Sequence, residues 1–407
     1  MEKIKLFNNK ADCCACGACM NICPKQAISM VEDEFGFMYP RINEELCIGC
    51  GVCKRVCGYQ NKQEVNIPLY TYVACTQTTD IMQSASGGVF AGLAKAFLEQ
   101  GGIVYGASME LIDGELIPVH IGIEKKEELY KLLGSKYVQS NIGNVYTQIK
   151  SQLEQGRYVL FSGTPCQVAG LKAYLCNKEF EKLLLIDIIC HGVPSIKFFN
   201  SYLRALESKL NGKIVDFRFR DKSRGWGLVG KASYITTANK TMTKSIFARE
   251  SSYYHLFLEG DIYRENCYSC KYASNHRPGD ITLGDYWGIE KEHPDYLVAR
   301  GGKFDECKGV SCMILNTMKA KKFVEKYEDR IQYQESTFEK VAKQNGQLVH
   351  PTPYSERRSQ ILELFMKSGY GAIDKWFINR LGFKMVPIYI LDRIPVSIKK
   401  YMRRIMR

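Results

Sequence analysis

Hydrophobic and polar positions divide the chain into parts of different character. Residues 1–60 carry short segments without long periodicity and are dense in cysteine, which is typical of a small fold held together by inorganic groups. From Leu69 onward, apolar runs that suit strands alternate with segments whose apolar residues recur at i, i+3 and i+4, as in amphipathic helices. The pattern therefore predicts a small α+β domain over 1–60, a polar linker over 61–69 and an α/β domain over 70–320. A helical, basic C-terminal extension is expected over 321–407.

Three strand–loop–helix units stand out in the second domain. We predict helices over 89–98, 168–175 and 196–206, each entered from a short loop, and strands over 157–162 and 183–189 before the last two. Parallel strands end at one edge of a sheet, so the three loops are expected to gather at the carboxyl ends of a parallel or mixed sheet.

Eight cysteines of the first domain repeat one spacing. The run C-x2-C-x2-C-x3-C is formed by Cys13, Cys16, Cys19 and Cys23, and again by Cys47, Cys50, Cys53 and Cys57. In two-cluster ferredoxins the fourth cysteine of each run binds the other cluster. We therefore predict one [4Fe-4S] cluster on a first cysteine set, Cys13, Cys16, Cys19 and Cys57. A second cluster is predicted on a second cysteine set, Cys47, Cys50, Cys53 and Cys23.

Details inside these runs agree with clusters better than with zinc. Gly17, Gly49 and Gly51 let the backbone fold round a cubane. A pair of zinc sites is the alternative, but zinc motifs usually pair one C-x2-C with a distant C-x2-C. Gly58 stands where a proline usually follows the last cysteine, and Cys14 is expected to be a bystander between ligands.

Composition places the chain among folded, metal-binding proteins. Hydrophobic residues make up 45% and charged residues 24%, and the 17 cysteines are an odd number grouped in short repeats. That grouping favours metal ligation over a disulfide framework. The first residues lack the apolar region of a signal peptide and no run of 18 apolar residues occurs, so a reducing, cytoplasmic location is expected.

The net charge of +13 is spread over most of the chain and concentrates only near its end. From Trp376 to Arg407, eight Lys or Arg residues face Asp392 as the single acidic residue. An acidic redox partner protein, an anionic cofactor or peripheral contact with an anionic membrane would suit that balance. Pro387 and Pro395 interrupt any long helix there, which favours a packed extension. We expect no nucleic-acid binding, because the remaining charge forms no basic patch.

Four cysteines of the second domain form a third cysteine set: Cys166, Cys190, Cys267 and Cys270. The first two follow predicted strands and open helices, and the C-x2-C pair would complete a square of ligands. The residues alone leave two interpretations open, a third [4Fe-4S] cluster or buried structural cysteines beside a small zinc knuckle.

Several ordered motifs of the second domain resemble the beta subunit family of coenzyme F-420 hydrogenases and dehydrogenases. They are SGGVFAGLAKAFLEQGGIVYGA, GSKYVQS, GTPCQVAGL, ICHGVP and CYSCKYASNHRPGDITLGDYWG, within about residues 70–320. The resemblance implies an α/β flavin-binding domain that holds FAD and one [4Fe-4S] cluster, with the third cysteine set as its ligands. The dicluster domain in front is also common in that family.

The resemblance directs attention to loop residues as the flavin site. Ser86, Gly87 and Gly88 precede a helix whose amino end would favour a pyrophosphate, whereas an ordinary tight turn is the alternative. In GSKYVQS the candidates are Lys136, Tyr137 and Ser140, with the lysine near a phosphate or the flavin ring.

Three further side chains near the third cysteine set have candidate roles. His191 is a candidate for proton transfer, or a loop histidine bonded to backbone. Asp280 and Asp285 would orient the cluster or the cofactor by hydrogen bonds, or serve only turns.

These expectations add up to an iron-sulfur flavoprotein oxidoreductase. It would exchange hydride with a small substrate or a deazaflavin coenzyme, in one alternative during surface-polysaccharide synthesis. The other hypotheses are a noncatalytic electron-transfer subunit that serves a separate redox enzyme and, less compatible with the motifs, a zinc-organised nucleic-acid module.

Overall fold

The computed structural model describes residues 4–394. Its first domain is built on the antiparallel strands β1 (Ile28–Glu32) and β2 (Met38–Ile42) and two short helices, α1 (Ala18–Asn21) and α2 (Val52–Arg55). The glycine before each helix is left-handed, Gly17 with φ 77° and Gly51 with φ 69°. Because side chains with a Cβ rarely adopt this conformation, glycine lets the chain turn into a helix within the cysteine run.

Eleven further strands follow. They are β3 (Tyr70–Thr76), β4 (Ile103–Ile112), β5 (Glu115–Ile123), β6 (Val159–Gly163), β7 (Leu183–Ile188), β8 (Gly212–Arg218), β9 (Val229–Thr236), β10 (Thr241–Phe247), β11 (Ile281–Asp285), β12 (Ser311–Leu315) and β13 (Ile331–Ser336). Strands β8 to β10 form a small antiparallel sheet. The other eight form one sheet in the order β13-β3-β12-β11-β7-β6-β4-β5.

Ten further α-helices follow α1 and α2 along the described chain. They are α3 (Val89–Glu99), α4 (Val145–Glu154), α5 (Pro165–Tyr174), α6 (Ile196–Leu210), α7 (Ser252–Leu258), α8 (Ile289–Glu292), α9 (Met318–Lys326), α10 (Phe338–Ala342), α11 (Arg358–Leu381) and α12 (Met385–Arg393). Helix α11 is broken at Gly369, whose φ is 71°.

The large sheet is mixed, as the sequence predicted. Strands β4, β6, β7 and β11 all run in the same direction, because β6 pairs in parallel with β4 and β7, and β7 pairs in parallel with β11. Strand β12 is antiparallel to both β11 and β3. Strand β3 therefore runs in the same direction as β11. The loops after β3, β6, β7 and β11 consequently leave one edge of the sheet, where the expected gathering takes place.

The three predicted helices are confirmed as α3, α5 and α6, and the two predicted strands as β6 and β7. Local sequence explains where two of the helices start. The Thr164 side chain and Gln167 form a capping box in front of α5, and the Ser195 hydroxyl accepts a hydrogen bond from the Phe198 amide at the start of α6.

The predicted boundary at residue 320 does not separate the sheet from a helical extension. Strand β13 lies within 321–407 and pairs with β3 at the edge of the large sheet. Apolar and polar residues alternate along β13, and Ile331 is buried. The segments on either side of β13 are rich in Lys and Glu, a composition typical of helices, so the sequence around β13 predicts a helix. An edge strand of six residues buries too few side chains to stand out from such surroundings.

The C-terminal helix α12 docks on the chain through ion pairs. Arg249 pairs with Asp392, and Arg393 pairs with Glu250. Phe383 and Val386 remain largely exposed, at 94% and 60%. Five of the eight basic residues predicted to face a membrane or a partner, Lys399, Lys400, Arg403, Arg404 and Arg407, lie outside the described residues. Among the described helices, none is both long and apolar enough to cross a bilayer.

The dicluster domain packs tightly against the α/β domain. A Cβ on Gly170 of α5 would lie 2.8 Å from the Cβ of Cys16. The Asn21 side chain donates to the Gly143 carbonyl at 2.8 Å. Asn66, in the predicted linker, exchanges backbone hydrogen bonds with Arg277. The two domains therefore share one continuous interior around the cysteines.

Candidate iron-sulfur and cofactor site

The first cysteine set lies at the interface between α1 and the second domain. Burial, with smaller contributions from the nearby thiols of Cys16 and Cys57, raises the pKa of Cys13 to about 11. Burial and the same neighbours also raise the pKa of Cys19. Because metal ligation requires thiolates, these desolvated thiols would give up their protons on binding a metal group. Cys57 also accepts a hydrogen bond from the Gln60 amide at 3.5 Å.

The second cysteine set lies on the outer side of the dicluster domain. Cys23, Cys47, Cys50 and Cys53 line one small cavity together with Pro24, Ile28 and Ile42. Cys50 is exposed, and Leu46 and Ile48 beside it are 50% and 51% exposed. Among the cysteines of the three sets in the described residues, Cys50 is the exposed one.

The third cysteine set converges at the carboxyl edge of the large sheet. Cys166 begins α5 after β6, Cys190 follows β7, and Cys267 and Cys270 come from the segment before β11. Burial and the other three thiols raise the pKa of Cys190, and burial and Cys270 raise that of Cys267 to about 12. The Thr164 hydroxyl lies 3.2 Å from the Cys166 sulfur. The spatial convergence that the sequence predicted is present.

Cys14, expected from the sequence to be a bystander between ligands, lies between the first and third sets. Its thiol is 4% exposed, and interactions with Cys16 and then Cys166 raise its pKa. The same interaction with Cys14 lowers the pKa of Cys166. One thiol thus contacts a predicted ligand of each neighbouring set.

Within residues 4–394, no three His, Cys, Asp or Glu side chains converge on a point that would hold a single ion. A [4Fe-4S] cluster binds each of its four cysteines through a different iron, so its ligands surround a volume and do not meet at a point.

A buried ion pair supports the strand ends next to the third set. Arg277 and Asp187 are 1% and 0% exposed, and Arg277 Nη2 lies 2.5 Å from Asp187 Oδ1. Asp187 also accepts from the Thr282 hydroxyl at 2.8 Å and the Gly279 amide at 2.8 Å. Asp280 instead accepts from the Leu185 amide and pairs with Lys319 at 3.0 Å. Asp280 therefore joins β7 to α9 and contacts no cysteine of the third set in these bonds.

A second buried ion pair lies beyond the third set, at the end of β11. Arg220 binds Asp285 through two bonds of 2.9 and 3.2 Å, and Trp226 Nε1 donates to the same carboxylate at 2.8 Å. The rings of Trp226 and Trp287 stack with centroids 4.7 Å apart and planes 5° apart. Both indoles are partly exposed, so a flat apolar surface borders a charged one.

The predicted pyrophosphate loop lies against this second ion pair. Arg220 donates to the Ala85 carbonyl at 3.2 Å, and Lys222 Nζ donates to the carbonyls of Ser86 and Ile81. Burial and repulsion from Arg220 lower the pKa of Lys222 to about 7. Because Arg220 is paired with Asp285, positive charge beside the loop depends on protonation of Lys222, which a bound anionic group would favour.

Gly87 and Gly88 also have packing reasons to be glycine. The Gly87 amide donates to the Ser311 hydroxyl at 2.9 Å, and a Cβ on Gly87 would lie 2.5 Å from the Ala74 carbonyl oxygen. Gly88 has φ 75° at the start of α3. The Gly87 amide is therefore already bonded within the protein, and a role of this loop in binding phosphate stays a prediction.

The three candidates of GSKYVQS point to different places. Lys136 donates to the carbonyls of Leu133 and Lys131, and burial lowers its pKa to about 7. Tyr137 accepts from Arg220 at 3.2 Å and so belongs to the second ion pair. Ser140 bonds to His120 Nδ1 at 3.0 Å in a buried network. Of the three, Tyr137 lies with Ser86 and Arg220.

His191 lies between the third set and the second ion pair. It follows Cys190 directly and is an exposed residue. Partial desolvation of its imidazole lowers its pKa, and the charge of Asp285 opposes that change. Its carbonyl accepts from the Thr352 hydroxyl at 2.7 Å. The imidazole remains available to a bound molecule, and its role in proton transfer stays a prediction.

Sequence reasoning missed the buried cations of the site, Arg220, Lys222, Arg264 and Arg277. The hydrogen-bond and ion-pair partners of these cations are distant in sequence, so no residue spacing predicts that the cations are buried. One signal was visible, because Asp187 interrupts an apolar strand and a buried carboxylate needs a counter-charge. The Arg residues themselves look like ordinary surface residues.

Comparison with known proteins agrees with this geometry. Residues 156–341 match the C-terminal domain of the coenzyme F420 hydrogenase/dehydrogenase beta subunit, and residues 12–61 match a 4Fe-4S dicluster domain. The chain is an iron-sulfur protein related to these beta subunits. The resemblance drawn from the motifs is thereby confirmed, and both matches contain the cysteine sets described above.

Structural and curated comparisons add less. A chain of the F420-reducing [NiFe] hydrogenase complex from Methanosarcina barkeri, derivatised with xenon, superposes with a TM-score of 0.43 and 17% identity, over 74% of this chain and 93% of that chain. A similarity of that size supports no inference about function. No curated protein matches the chain.

Proposed function

We propose that this protein is an iron-sulfur flavin-dependent oxidoreductase with three [4Fe-4S] clusters and one FAD. It would exchange hydride with a small redox substrate, a deazaflavin coenzyme being one candidate, and electrons with a redox partner protein. The observation that carries the proposal is that Cys14 and Cys16 are buried in one core against which Cys166 and Cys270 also pack, because it makes the first and third cysteine sets immediate neighbours.

The order of the sites supports an electron path. The second set opens to solvent at Cys50, the first set lies at the domain interface, and the third set lies next to His191 and the second ion pair. FAD would supply the junction between one-electron transfer and hydride transfer.

The residues around the second ion pair fit an anionic, planar cofactor. Arg220 and Lys222 would hold its negative charge, and the stacked Trp226 and Trp287 would pack against a flat ring. Asp285 fixes the guanidinium of Arg220 and the indole of Trp226 in place. His191 would hold or deliver a proton at the edge of this surface.

The first test is the iron, acid-labile sulfide and flavin content of anaerobically purified protein. We expect about twelve irons and one FAD per chain, and about eight irons in C190S. R220M should lose flavin and retain iron, whereas R224M, a change of an exposed arginine in the same loop, should lose neither. About eight irons and no flavin in the wild type, even after reconstitution, would overturn the proposal.

The second candidate function is a noncatalytic electron-transfer subunit of a separate redox enzyme. The matched family model, which describes a beta subunit, favours this alternative. Turnover of substrate with reduced ferredoxin by the isolated chain supports the enzyme, and activity only with a partner supports the subunit. We also propose a cytoplasmic location and, as one alternative for the substrate, a role in surface-polysaccharide synthesis.

A further inference from the structure

Among the described residues, four arginines are buried, and three of them have carboxylate partners. Arg220 pairs with Asp285, Arg277 with Asp187, and Arg358 with Glu265 at 3.7 Å. Arg264, at 0% exposure, is the fourth. It donates to the Cys13 carbonyl at 2.9 Å and to the Gln139 side chain at 3.4 Å, and these partners are neutral. Its Nη2 atom has no hydrogen-bond partner.

A buried guanidinium without a counter-charge is expensive. The effective penalty for a charge taken out of water is several kcal/mol, and an unsatisfied N–H adds to it. The ring of Tyr39, 4.0 Å from the guanidinium carbon, provides only partial compensation through its π face. The fold must therefore supply negative charge close to Arg264 in its working state.

The negative charge that suits this position is that of cysteine thiolates. Arg264 Nε donates to the carbonyl of Cys13 in the first set at 2.9 Å, and the Arg264 carbonyl accepts from the amide of Cys267 in the third set at 3.0 Å. The Arg264 amide donates at 3.0 Å to the carbonyl of Val193, three residues after Cys190. Arg264 is thus fixed between the two sets by bonds to both.

We propose that Arg264 is the shared counter-charge of the first and third cysteine sets and raises the reduction potentials of the two clusters that they hold. Reduction adds negative charge to a cluster, so a fixed cation in a low dielectric stabilises the reduced form. One side chain thereby favours electron occupancy at two neighbouring sites together. The inference rests on the proposed function, because it needs a cluster on the third set.

The experiment compares the full-length, cluster-loaded protein with R264M, R264Q and R264K. Iron content and the midpoint potentials of all clusters are measured, the latter by redox titration followed by electron paramagnetic resonance. The matched control is R358M, which removes a buried arginine whose charge Glu265 already compensates. The cluster of the second set, on the exposed side of the dicluster domain, is an internal control.

We expect the neutral variants to lower the potentials of two clusters by at least a tenfold change in the equilibrium constant for reduction, which is about 59 mV for a one-electron couple. The third potential should not change, and R264K should retain most of the wild-type values. If both neutral variants lose iron from the first and third sets while R264K and R358M keep their clusters, that result equally supports the role of Arg264 as the shared counter-charge.

Unchanged potentials in fully loaded R264M and R264Q would overturn the inference, as would equal shifts in R358M or in all three clusters. Loss of iron from every set, in R358M as well, would show a general loss of stability and overturn it too. About eight irons in the wild type is a different failure. That result would overturn the proposed function, and with it the shared role of Arg264, before any variant is compared.

Discussion

The groups that surround each buried charged or titratable residue of this protein determine its effect on stability and on redox chemistry. Arg220, Arg277 and Arg358 face carboxylates, whereas Arg264 faces cysteines. His120 is bonded to the Ser140 hydroxyl at 3.0 Å and the Ser162 carbonyl at 3.1 Å, and the nearby charge of Lys136 opposes its protonation. Each arrangement has a measurable consequence for stability or for redox chemistry.

His120 should make the protein sensitive to mild acid. Burial lowers its pKa to about 4, while the unfolded chain takes up this proton near the ordinary value of 6.5. The unfolded state therefore binds more protons between these pH values, and stability contributed by the neutral histidine is lost as pH falls from 6.5 to 4, by up to about 3 kcal/mol.

We expect H120Q to reduce that loss, because a neutral amide has no proton to gain. Thermal unfolding of anaerobic protein at pH 7, 6 and 5 measures it, with H276Q as the control at an exposed histidine. Parallel pH profiles for wild type and H120Q would show that the buried imidazole does not cause the acid sensitivity.

At the scale of elements, strand ends and helix starts bring the chemistry together. Helix α5 carries Cys166, and the loop after β7 carries Cys190 at the same sheet edge. Helix α5 also packs its Gly170 against Cys16 of the first set. Packing between elements thus positions cysteines of two different sets.

Helix α5 should tolerate no side chain at Gly170. A Cβ there would lie 2.8 Å from the Cβ and 2.9 Å from the sulfur of Cys16, so G170V must displace that cysteine. We expect loss of about four of about twelve irons, with the other clusters retained. G371A, in α11 with nothing within 4 Å, should keep the full iron content. Wild-type iron in G170V would contradict the tight contact.

The ion pair between β7 and the segment before β11 should be a stability determinant. D187N leaves the Arg277 charge buried without a partner and should cost about 3–5 kcal/mol. The control E363Q breaks a pair in which both side chains are more than 60% exposed, which should cost at most about 1 kcal/mol. Thermal unfolding compares them, and equal midpoints for the two variants would exclude this role of the buried pair.

On the scale of the whole molecule, domains named from sequence do not coincide with units of packing. The family match ends at residue 341, yet Ile361, Leu362, Phe365 and Ile373 of α11 are buried in the same core as Phe37 of the dicluster domain. The hydrophobic interior therefore runs from the first domain to the C-terminal helices.

Truncation should reveal this shared core. A chain ending at residue 343 would expose the partners of α11 and should be insoluble or lose its clusters. A chain ending at residue 394 keeps every described contact and should retain the wild-type iron content and unfolding midpoint. Full iron loading and cooperative unfolding of the shorter chain would show that the C-terminal helices are dispensable.

The sequence by itself determined the features that depend on local spacing. Two C-x2-C-x2-C-x3-C runs dictate a dicluster fold, and the apolar periodicity predicted α3, α5 and α6 within a few residues. The approach of Cys166 and Cys190 to each other followed from strand ends meeting at one sheet edge, whereas the addition of Cys267 and Cys270 rested on the family resemblance. Apart from that addition, each of these inferences uses geometry that a short segment or a parallel sheet imposes on any sequence.

Only the tertiary structure decided the pairing of buried charges and the place of β13. Asp285, which binds Arg220, and Cys13, which binds Arg264, lie more than 60 positions away from these arginines in the sequence. The edge strand β13 is stabilised by its pairing with β3 in the sheet that it joins. The energy of a buried charge is set by its surroundings in three dimensions and not by its neighbours along the chain.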